Sequence, residues 1–415
     1  MEGNLRPVST LRTESPPVLL LGGTQSSLAI VRSLGRKNIP VRVAARADRP
    51  ALRSRFCRGR YVIPPNEPPD SFWADLLLGG SRSDLRGSVI FACDDFALTF
   101  LATCRAKLQQ HYILDDSIPA LQLAMLDKQK TLELARSAGC AVPQFWKVDT
   151  PRDLEAIHCA VNFPVMVKPI HSHMFESLLG KKFFIAHSHE ELDERVRQVL
   201  DRQLKIMVCE IIPGPDSVVQ SSYYTYIDRQ GERLFQFTKR VLRRAPQFGG
   251  KAVLHMTQWL PETAEVGERF FRGIGFQGLG HIEFKRDFRD GQLKVIECNP
   301  RFTEAQELLR RSGVDTAFLL YCQLTGKPLP PTRSYKENLF LWYPVRDLID
   351  QLKGRHGLSA SHWLRSVLHL HTTFPYFKPD DPWPSLALAL DELQRRLRAG
   401  KLSRLKQAQA NAAHA

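Results

Sequence analysis

The stretch KVIECNPRF, residues 294–302, places polar groups with metal-binding and anion-binding chemistry at the end of a β-strand. Its β-branched residues are typical of a strand, and Glu297, Asn299 and Arg301 follow at alternate positions. Side chains two residues apart lie on the same face of a strand, so Glu297 and Asn299 are expected to point the same way. The stretch therefore predicts a strand that carries a carboxylate and an amide into a site.

A second strand precedes this one in GHIEFK, residues 280–285, and the two flank an Arg-Asp-Gly turn at 289–291. A hairpin centred on that turn sets Glu283 opposite Glu297. Opposed carboxylates are destabilising unless a cation lies between them. Two carboxylates and an amide oxygen suit Mg²⁺, with Mn²⁺ as an alternative, because such ions complete their coordination with water and substrate phosphates.

The same spacing also has a simpler interpretation. One carboxylate could face solvent while the other pairs with Lys285 or Arg301. The planar guanidinium of Arg301 could hold a phosphate or a carboxylate through two bonds, or it could form a surface ion pair. Spacing alone leaves these alternatives open.

The N-terminal part of the chain has the pattern of a parallel α/β sheet. Residues 16–45 predict a strand at 18–21, a glycine turn, an amphipathic helix and a strand at 41–44. A further strand and helix follow in 87–108, and HYIL at 111–114 predicts another short strand. A parallel sheet covered by helices is therefore expected.

The composition narrows the class of protein. The chain has 415 residues, so two or three domains are expected, and no apolar run approaches the roughly 20 residues that cross a bilayer. The start has no apolar segment of the secretory type, which favours a cytoplasmic protein. Eight scattered cysteines include no CxxC pair, and Gly22-Gly23 lacks the full dinucleotide fingerprint, so neither a cysteine zinc site nor a nicotinamide site is favoured.

The net charge of +15 would suit nucleic acid, an anionic membrane surface, or an enzyme that handles polyphosphate and carboxylate substrates. No RNA-recognition or helix-turn-helix signature supports nucleic-acid binding. We therefore expect no nucleic-acid partner and no membrane span. Basic residues at helical spacing in the tail, residues 394–407, predict an exposed amphipathic helix with a solvated face.

The pattern changes near residue 121 and again near 331. A Lys-rich helix is followed by a strand ending at Lys168, a long polar loop HSHMFESLLGKK at 171–182, a return strand, and a strand broken by Pro-Gly-Pro at 213–215. Two hairpins come next. The predicted fold class is therefore α/β and α+β multidomain, with domains at 1–118, 119–330 and a mostly helical region at 331–415.

Five motifs, DKQK, FPVMVKP, CEIIPGPD, GHIEF and VIECNPR, occur here in the order typical of the ATP-grasp superfamily. Over residues 17–331 the chain resembles its carboxylate-amine ligase branch, which includes D-aspartate ligase-like proteins. The resemblance implies a Rossmann-like first domain, an ATP-grasp domain of two α+β lobes, and an ATP- and Mg²⁺-dependent ligase. Such a ligase forms an amide through an acyl phosphate and releases ADP and phosphate.

The resemblance also implies roles for single residues. Lys128 and Lys168 match the lysines that reach the ATP phosphates, and Asp216 matches the acid that holds the ribose. Backbone groups of the hinge would bind the adenine edge; the hinge comprises Cys209, Glu210, Ile211 and Ile212. The magnesium ligands of the family are matched by Glu283, Glu297 and Asn299, and the long loop at 171–182 would be the lid.

The candidates for catalysis are less settled. His281 occupies the position where peptide-forming ligases carry an arginine, which leaves the substrate open. Arg301, together with Lys239 or Arg240, is the candidate for the substrate carboxylate or the developing oxyanion. Strand alternation in FTKRVLRR, residues 237–244, predicts one face made of Lys239, Val241 and Arg243 and another made of Arg240 and Arg244, so that one side could face an anionic substrate or the γ-phosphate. An exposed basic edge that resists aggregation is the alternative.

Other interpretations stay open at this point. His171, His173, His187 and His189 could form a metal site, although zinc sites usually have a better-defined ligand set. A nucleotide-binding scaffold without turnover is the main rival to a ligase, and a basic nucleic-acid-binding protein is a lesser one. The expected partners are small carboxylate and amine substrates, and a homodimer is one assembly compatible with the sequence.

Overall fold

The computed structural model describes residues 15–170, 182–247, 249–331, 334–355, 357–369 and 371–391. Its strands form three sheets, two of four strands and one of seven. The lid loop, His171, His173 and the basic tail lie outside the described residues, apart from Lys182. Within the described part, no helix is long and apolar enough to cross a membrane.

The first sheet is parallel, as predicted, with strand order β3-β2-β1-β4. Its strands are β1 Val18–Leu21, β2 Val41–Arg46, β3 Cys57–Ile63 and β4 Val89–Ala92. Its helices are α1 Gln25–Gly35, α2 Pro69–Leu78 and α3 Asp95–Leu108, with short 3₁₀ turns at Pro50–Arg53 and Ser83–Leu85. The strand expected at 111–114 is only an isolated bridge between Ile113 and Val89.

The glycines after β1 allow the backbone to approach the end of β4. Gly22 and Gly23 have φ of +64° and +82°, and a Cβ on Gly22 would lie 2.1 Å from an Asp94 carboxylate oxygen. The Gly23 N–H donates to Asp94 Oδ2 at 2.7 Å, and Asp94 also caps α3 by accepting from the Ala97 N–H at 2.9 Å. The turn thus ties the carboxyl ends of β1 and β4 together where strand order reverses.

A small antiparallel lobe follows two linking helices, α4 Pro119–Leu126 and α5 Lys128–Ser137. The sheet has the order β5-β8-β6-β7. Its strands are β5 Phe145–Val148, β6 Val165–Pro169, β7 Phe184–Ala186 and β8 Ile206–Glu210, and its helices are α6 Pro151–Ile157 and α7 His189–Leu200. One face of this sheet and both helices enclose a core of their own, whereas Met207 and Cys209 belong to the neighbouring core.

The large sheet has the order β13-β12-β9-β10-β11-β14-β15. Its strands are β9 Gln220–Ile227, β10 Arg233–Ala245, β11 Lys251–Thr257, β12 Gly278–Arg286, β13 Leu293–Cys298, β14 Phe340–Trp342 and β15 Thr372–Thr373. The associated helices are α8 Asp216–Val219, α9 Pro261–Gly273, α10 Gln306–Ser312, α11 Thr316–Thr325, α12 Pro344–Leu352 and α13 Ala360–Val367. The described part of the C-terminal region contains two helices, α12 and α13. It also contains two strands, β14 and β15, that the sequence did not predict.

The C-terminal segment returns to the first domain. Asp381 is fully buried, and its carboxylate accepts hydrogen bonds from Arg32 Nε at 2.8 Å, Ser54 Oγ at 2.7 Å and the Arg55 N–H at 2.9 Å. The largest apolar core is also continuous from the first sheet into the large sheet and β14. These elements are consequently held together, while the small lobe has a core of its own and also packs on the neighbouring core through Met207 and Cys209.

Candidate functional site

A cleft of about 590 Å³ lies where residues of the small lobe face the large sheet. It brings together every predicted site residue except Arg240. Those residues are Lys128, Lys168, Cys209, Glu210, Ile211, Ile212, Asp216, Lys239, His281, Glu283, Glu297, Asn299 and Arg301. The candidates come from the small lobe, the linking helix α5 and the large sheet, so the cleft exists only when these parts fold together.

The predicted pairing of the two carboxylates is confirmed, although the hairpin register shifts by one residue between Glu283 and Phe284. Glu283 on β12 pairs directly with Glu297 on β13. Asn299 lies just beyond β13, where its N–H donates to the His281 carbonyl at 2.7 Å and its own carbonyl accepts from the His281 N–H at 3.2 Å. This pair of backbone bonds extends the ladder and fixes Asn299 beside the two carboxylates.

Glu283 is held as a charged carboxylate. Arg244 Nη2 donates to Glu283 Oε2 at 3.1 Å, and Gln220 Nε2 donates to the same oxygen at 2.8 Å. Burial alone would raise the pKa of Glu283, but Arg244, His281 and Lys239 lower it to about 2. The cation that opposed carboxylates require is thus supplied in this structure by Arg244, rather than by the Lys285 or Arg301 considered from the sequence.

The donor set fits a hard divalent cation. Glu283, Glu297 and Asn299 offer two carboxylates and an amide oxygen from adjoining positions of one hairpin. Among the described residues there is no cluster of three or more His, Cys, Asp or Glu side chains that could hold a metal. A sparse oxygen set of this kind matches Mg²⁺, which usually keeps waters and binds substrate phosphates besides one or two carboxylates. The three residues would hold the ion.

Two buried nitrogen groups line the same cleft. Lys239 Nζ donates to Ser222 Oγ at 3.1 Å; burial lowers the pKa of Lys239 to about 8, with Glu283 opposing the shift and Arg244 adding to it. The His281 ring stacks on Tyr224 at a centroid distance of 4.2 Å. Burial lowers the pKa of His281 to about 3, so its ring is neutral at physiological pH.

The faces predicted for the basic strand were wrong, and the reason is a β-bulge. The register of β10 against β11 shifts on both sides of Arg243, so simple alternation fails there. Lys239 and Arg244 line the cleft, whereas Arg243 is buried against Asp347 of α12, with Nη2 at 2.6 Å from Asp347 Oδ2. Arg240 does not line the cleft and pairs in the ladder with Ser221, whose hydroxyl contacts Thr263 of α9.

The residues matched to the nucleotide lie along one side of the cleft. Lys168 is near the end of β6, and Lys128 is the first residue of α5, whose N-terminus is capped by Asp127. Glu210 ends β8; its carboxylate accepts from Arg289 Nη2 at 2.6 Å and from the Gln144 N–H at 3.0 Å. These bonds fix the start of the segment predicted to be the hinge.

Asp216 follows the Pro-Gly-Pro segment as the first residue of α8. Its carboxylate lies 3.3 Å from Arg244 Nε and 3.1 Å from Lys285 Nζ. Arg244 therefore contacts both the acid matched to the ribose and the acid matched to the metal. The sequence pattern put Arg244 on the face opposite Lys239, because the bulge that brings both into the cleft leaves no trace in a simple alternation.

A second cavity of about 1,200 Å³ lies between the first domain and the large sheet. Helices α2, α3 and α4 contribute to its wall. The residues it shares with the cleft are Lys128, Glu297, Asn299, Arg301 and Glu304. The two spaces thus adjoin at these residues, beside the Glu283–Glu297 pair.

Arg301 stands at this junction. Its Nη2 donates to Asn299 Oδ1 at 3.0 Å, and its Nε donates to Asp95 at the start of α3. Burial would lower the pKa of Arg301, but the Asp95 carboxylate raises it. The guanidinium thus links the candidate metal site to the first domain. Asp95 was missed from the sequence, although its place after a parallel strand is typical of ligand-binding residues.

The four-histidine hypothesis receives no support from the described residues. His189 packs against Phe163, with ring centroids 4.8 Å apart, and against His158. The His187 N–H donates to Glu191 Oε2 at 2.9 Å. His171 and His173 lie outside the described residues.

Comparisons with known proteins agree with this geometry. No family model matches the chain. It is 25% identical to D-aspartate ligase of Enterococcus faecium (strain Aus0004) over 251 residues, which span 52% of this chain and 59% of that protein. It is 23% identical to D-alanine–D-alanine ligase of Chromohalobacter salexigens over 184 residues, which span 42% of this chain and 54% of that protein. The chain therefore matches less than two thirds of the length of these relatives.

Solved structures show the same fold. The ADP complex of N5-carboxyaminoimidazole ribonucleotide synthetase aligns with a TM-score of 0.60 at 14% identity, over 82% of this chain and 85% of that one. The L-amino acid ligase from Bacillus licheniformis aligns with a TM-score of 0.56 at 19% identity, over 76% of each chain. The predicted architecture is confirmed: the chain has the ATP-grasp fold, and its sequence resembles carboxylate-amine ligases.

Proposed function

We propose that this ATP-grasp chain is an ATP- and Mg²⁺-dependent carboxylate-amine ligase that forms an amide through an acyl phosphate. The observation that carries the proposal is the pairing of Glu283 with Glu297 beside Asn299 in a cleft that also contains Lys128 and Lys168. Opposed carboxylates beside two lysines form a site for a metal-bound polyphosphate. The similarity to D-aspartate ligase supports the same reaction class.

The nucleotide would lie along the cleft with its base at the hinge. Backbone groups after β8 would bind the adenine edge, and Asp216 would accept from the ribose hydroxyls. Lys128 and Lys168 would donate to the phosphates as charge-assisted hydrogen bonds. Magnesium, when bound, supplies the neutralisation of charge on the phosphates that the two lysines only partly provide. The protein groups mainly position the reactants in a site shielded from water.

The chemistry would take place where the two cavities meet. An oxygen of the substrate carboxylate attacks the γ-phosphorus, the bond to the β-phosphate oxygen breaks, and ADP leaves. The amine nitrogen then attacks the carbonyl carbon of the acyl phosphate, loses a proton and expels inorganic phosphate. The product is an amide, and ATP has replaced a poor leaving group by a good one.

Three side chains would assist these steps. Arg301 lies in both cavities and can orient the substrate carboxylate through its planar guanidinium. Lys239 lies on the floor of the cleft close to Tyr224 and can stabilise charge that develops on the acyl oxygen. The neutral His281 ring can donate one N–H to the same oxygen. Lys239 and His281 are thus the candidates for the oxyanion contacts.

The second cavity would hold the acid and the amine. Its lining includes Asp94, Asp95 and Glu304 as well as Arg49 and Arg301, so it presents both signs of charge. A molecule with an ammonium and a carboxylate meets complementary groups in such a space. The similarity to D-aspartate ligase and to an L-amino acid ligase makes amino acids the first substrates to test on both sides of the reaction.

A nucleotide-binding scaffold without turnover is the second candidate. The observation in its favour is the contact of Arg244 with Glu283, since a guanidinium on a metal ligand could keep the metal out. The scaffold predicts ATP binding with no acid- or amine-stimulated hydrolysis. The ligase predicts release of ADP and phosphate that depends on both substrates.

The deciding experiment measures magnesium-dependent release of ADP and phosphate against pools of carboxylic acids and amino acids. Release that needs both an acid and an amine, and that disappears in Glu297→Ala, supports the ligase. Nucleotide binding without turnover against any pool supports the scaffold. If ATP does not bind at all, the assignment of the Glu283–Glu297 hairpin as a metal-nucleotide site is wrong.

A further inference from the structure

Arg244 lies between the two ends of the proposed nucleotide site. Its Nε is 3.3 Å from Asp216 Oδ2, and its Nη2 is 3.1 Å from Glu283 Oε2. Asp216 is the candidate for the ribose and Glu283 for the metal. In a metal-bound nucleoside triphosphate the phosphates lie between the ribose and the metal, so a cation that spans these two acids faces the phosphates.

Further hydrogen bonds hold the guanidinium in this position. Arg244 Nε donates to Gln220 Oε1 at 2.9 Å, and Nη1 donates to the Gly250 carbonyl at 2.9 Å. The Gln220 amide in turn donates to Glu283 at 2.8 Å, which closes a ring of three side chains. The side chain is 21% exposed and lines the cleft, so it remains accessible to a ligand.

The guanidinium also offsets the repulsion between the carboxylates of Glu283 and Glu297. Glu283 and Glu297 are opposed on the ladder, and without a cation their repulsion would oppose folding. Among the described side chains, the cation bonded to Glu283 in this structure is Arg244. A divalent ion at Glu283 would compete for the same oxygen, Oε2, and would repel the guanidinium.

We propose that Arg244 is both a counter-ion of Glu283 and a phosphate-binding residue of the nucleotide site, so that a divalent metal ion and the guanidinium compete for Glu283. The inference rests on the proposed function for the identity of the nucleotide. It makes Arg244 a brake on metal binding in the absence of nucleotide, and it gives the displaced guanidinium a new partner when the phosphates arrive. The exchange favours loading of metal and nucleotide together.

Two measurements separate these tasks, and neither depends on turnover. The first is the affinity for Mn²⁺ without nucleotide, followed by the electron paramagnetic resonance signal of the free ion. We expect Arg244→Gln to bind Mn²⁺ at least 10-fold more tightly than the wild type, because the competing cation is gone. An unchanged or weaker affinity overturns the role as counter-ion.

The second measurement is the affinity for a fluorescent ADP analogue in EDTA. Several lysines also line the cleft, but the Arg244 guanidinium lies between the acids at the two ends of the nucleotide site, so Arg244→Gln should bind the analogue at least 10-fold more weakly. Arg244→Lys keeps the charge, so its affinities in both assays should lie between those of the wild type and Arg244→Gln. An unchanged ADP affinity in Arg244→Gln overturns the phosphate contact.

Arg286→Gln is the matched control. Arg286 ends β12 on the same sheet, pairs with the exposed Glu262 and donates to the Gly291 carbonyl at 2.8 Å, outside the cleft. Arg286→Gln lowers the net charge by one, as Arg244→Gln does, and should leave the affinities for Mn²⁺ and for the ADP analogue within 2-fold of the wild-type values. If the wild-type protein binds no ADP with or without Mg²⁺, the proposed function and the phosphate contact are both contradicted. The Mn²⁺ titration still tests whether Arg244 is the counter-ion of Glu283.

Discussion

The Arg301 guanidinium joins the amide oxygen of Asn299, a candidate metal ligand on the large sheet, to the carboxylate of Asp95 on the first domain. These two hydrogen bonds connect the proposed metal site to the cavity proposed for the substrates. A substrate carboxylate that binds Arg301 has to compete with Asp95. We therefore expect Arg301 to contribute to the rate of turnover rather than to the affinity for nucleotide.

Arg301→Ala should therefore reduce amide formation by about 10²-fold or more, since it removes a positioned cation next to the reacting groups. The affinity for ADP with Mg²⁺ should change by less than about 5-fold, because the hinge, Lys128 and Lys168 remain. Steady-state turnover and calorimetric ADP titration measure the two effects. Arg301→Ala protein with full turnover would remove this residue from the mechanism.

His281→Phe tests the ring nitrogen separately from the ring. A phenyl group can keep the stacking on Tyr224, and it removes only a neutral imidazole, so the stability should change by about 1 kcal/mol or less. Turnover should fall by about 10²-fold if the N–H contacts the developing oxyanion. Turnover at the wild-type level, in a folded variant, would show that His281 has only a packing role.

The pKa of Lys239 predicts how stability depends on pH. The folded-state pKa of about 8 lies below the 10.5 of the unfolded chain, so the unfolded state binds more protons between these values and this residue makes stability rise with pH across that window. Lys239→Met removes the titration. The stability of the wild type relative to Lys239→Met should rise from pH 7 to 10.5 by on the order of 3 kcal/mol. Denaturant unfolding of both proteins measures it, and a constant difference would contradict the buried, shifted ammonium.

Asp381 offers a stability test far from the cleft. Asp381→Ala leaves the buried Arg32 guanidinium without its counter-charge and should destabilise the protein by about 3–5 kcal/mol. Asp380 is the matched control: it pairs with Arg36 at 2.8 Å, but its side chain is 47% exposed. Asp380→Ala should cost about 1 kcal/mol or less. Equal effects in denaturant unfolding would show that the C-terminal segment is not fixed by Asp381.

Much of the candidate site was predictable because it depends on local rules. The Arg-Asp-Gly turn predicted the hairpin in which Glu283 lies opposite Glu297, although a register shift beside Phe284 separates that pair from the turn, and alternation placed Asn299 beside them. The apolar runs at 18–21 and 41–44 predicted the parallel strands. Each of these inferences uses residues close together in the sequence.

What the sequence did not predict depends on contacts between distant segments or on irregular backbone. The bulge around Arg243 reverses the expected faces, and it is stabilised by the partner Asp347, about a hundred residues later. Strand β3 carries Arg-Gly-Arg at an edge of the sheet, a composition untypical of strands. The strands β14 and β15 form because an edge of the large sheet is available to them, which no local pattern encodes.

The separate core of the small lobe has a mechanical consequence. The first domain, the large sheet and the C-terminal segment share apolar packing and the Asp381 anchor, so they are expected to move as one rigid body. The small lobe is joined to that body through residues 138–144 and 211–215 and contacts it through Met207, Cys209 and Glu210. A rotation about the two connections would widen the cleft at the cost of these contacts, without breaking the lobe's own core. Exchange of nucleotide would then depend on this rotation of the small lobe, whereas access to the second cavity would not. The nucleotide and the molecules in the second cavity could then be replaced on independent timescales.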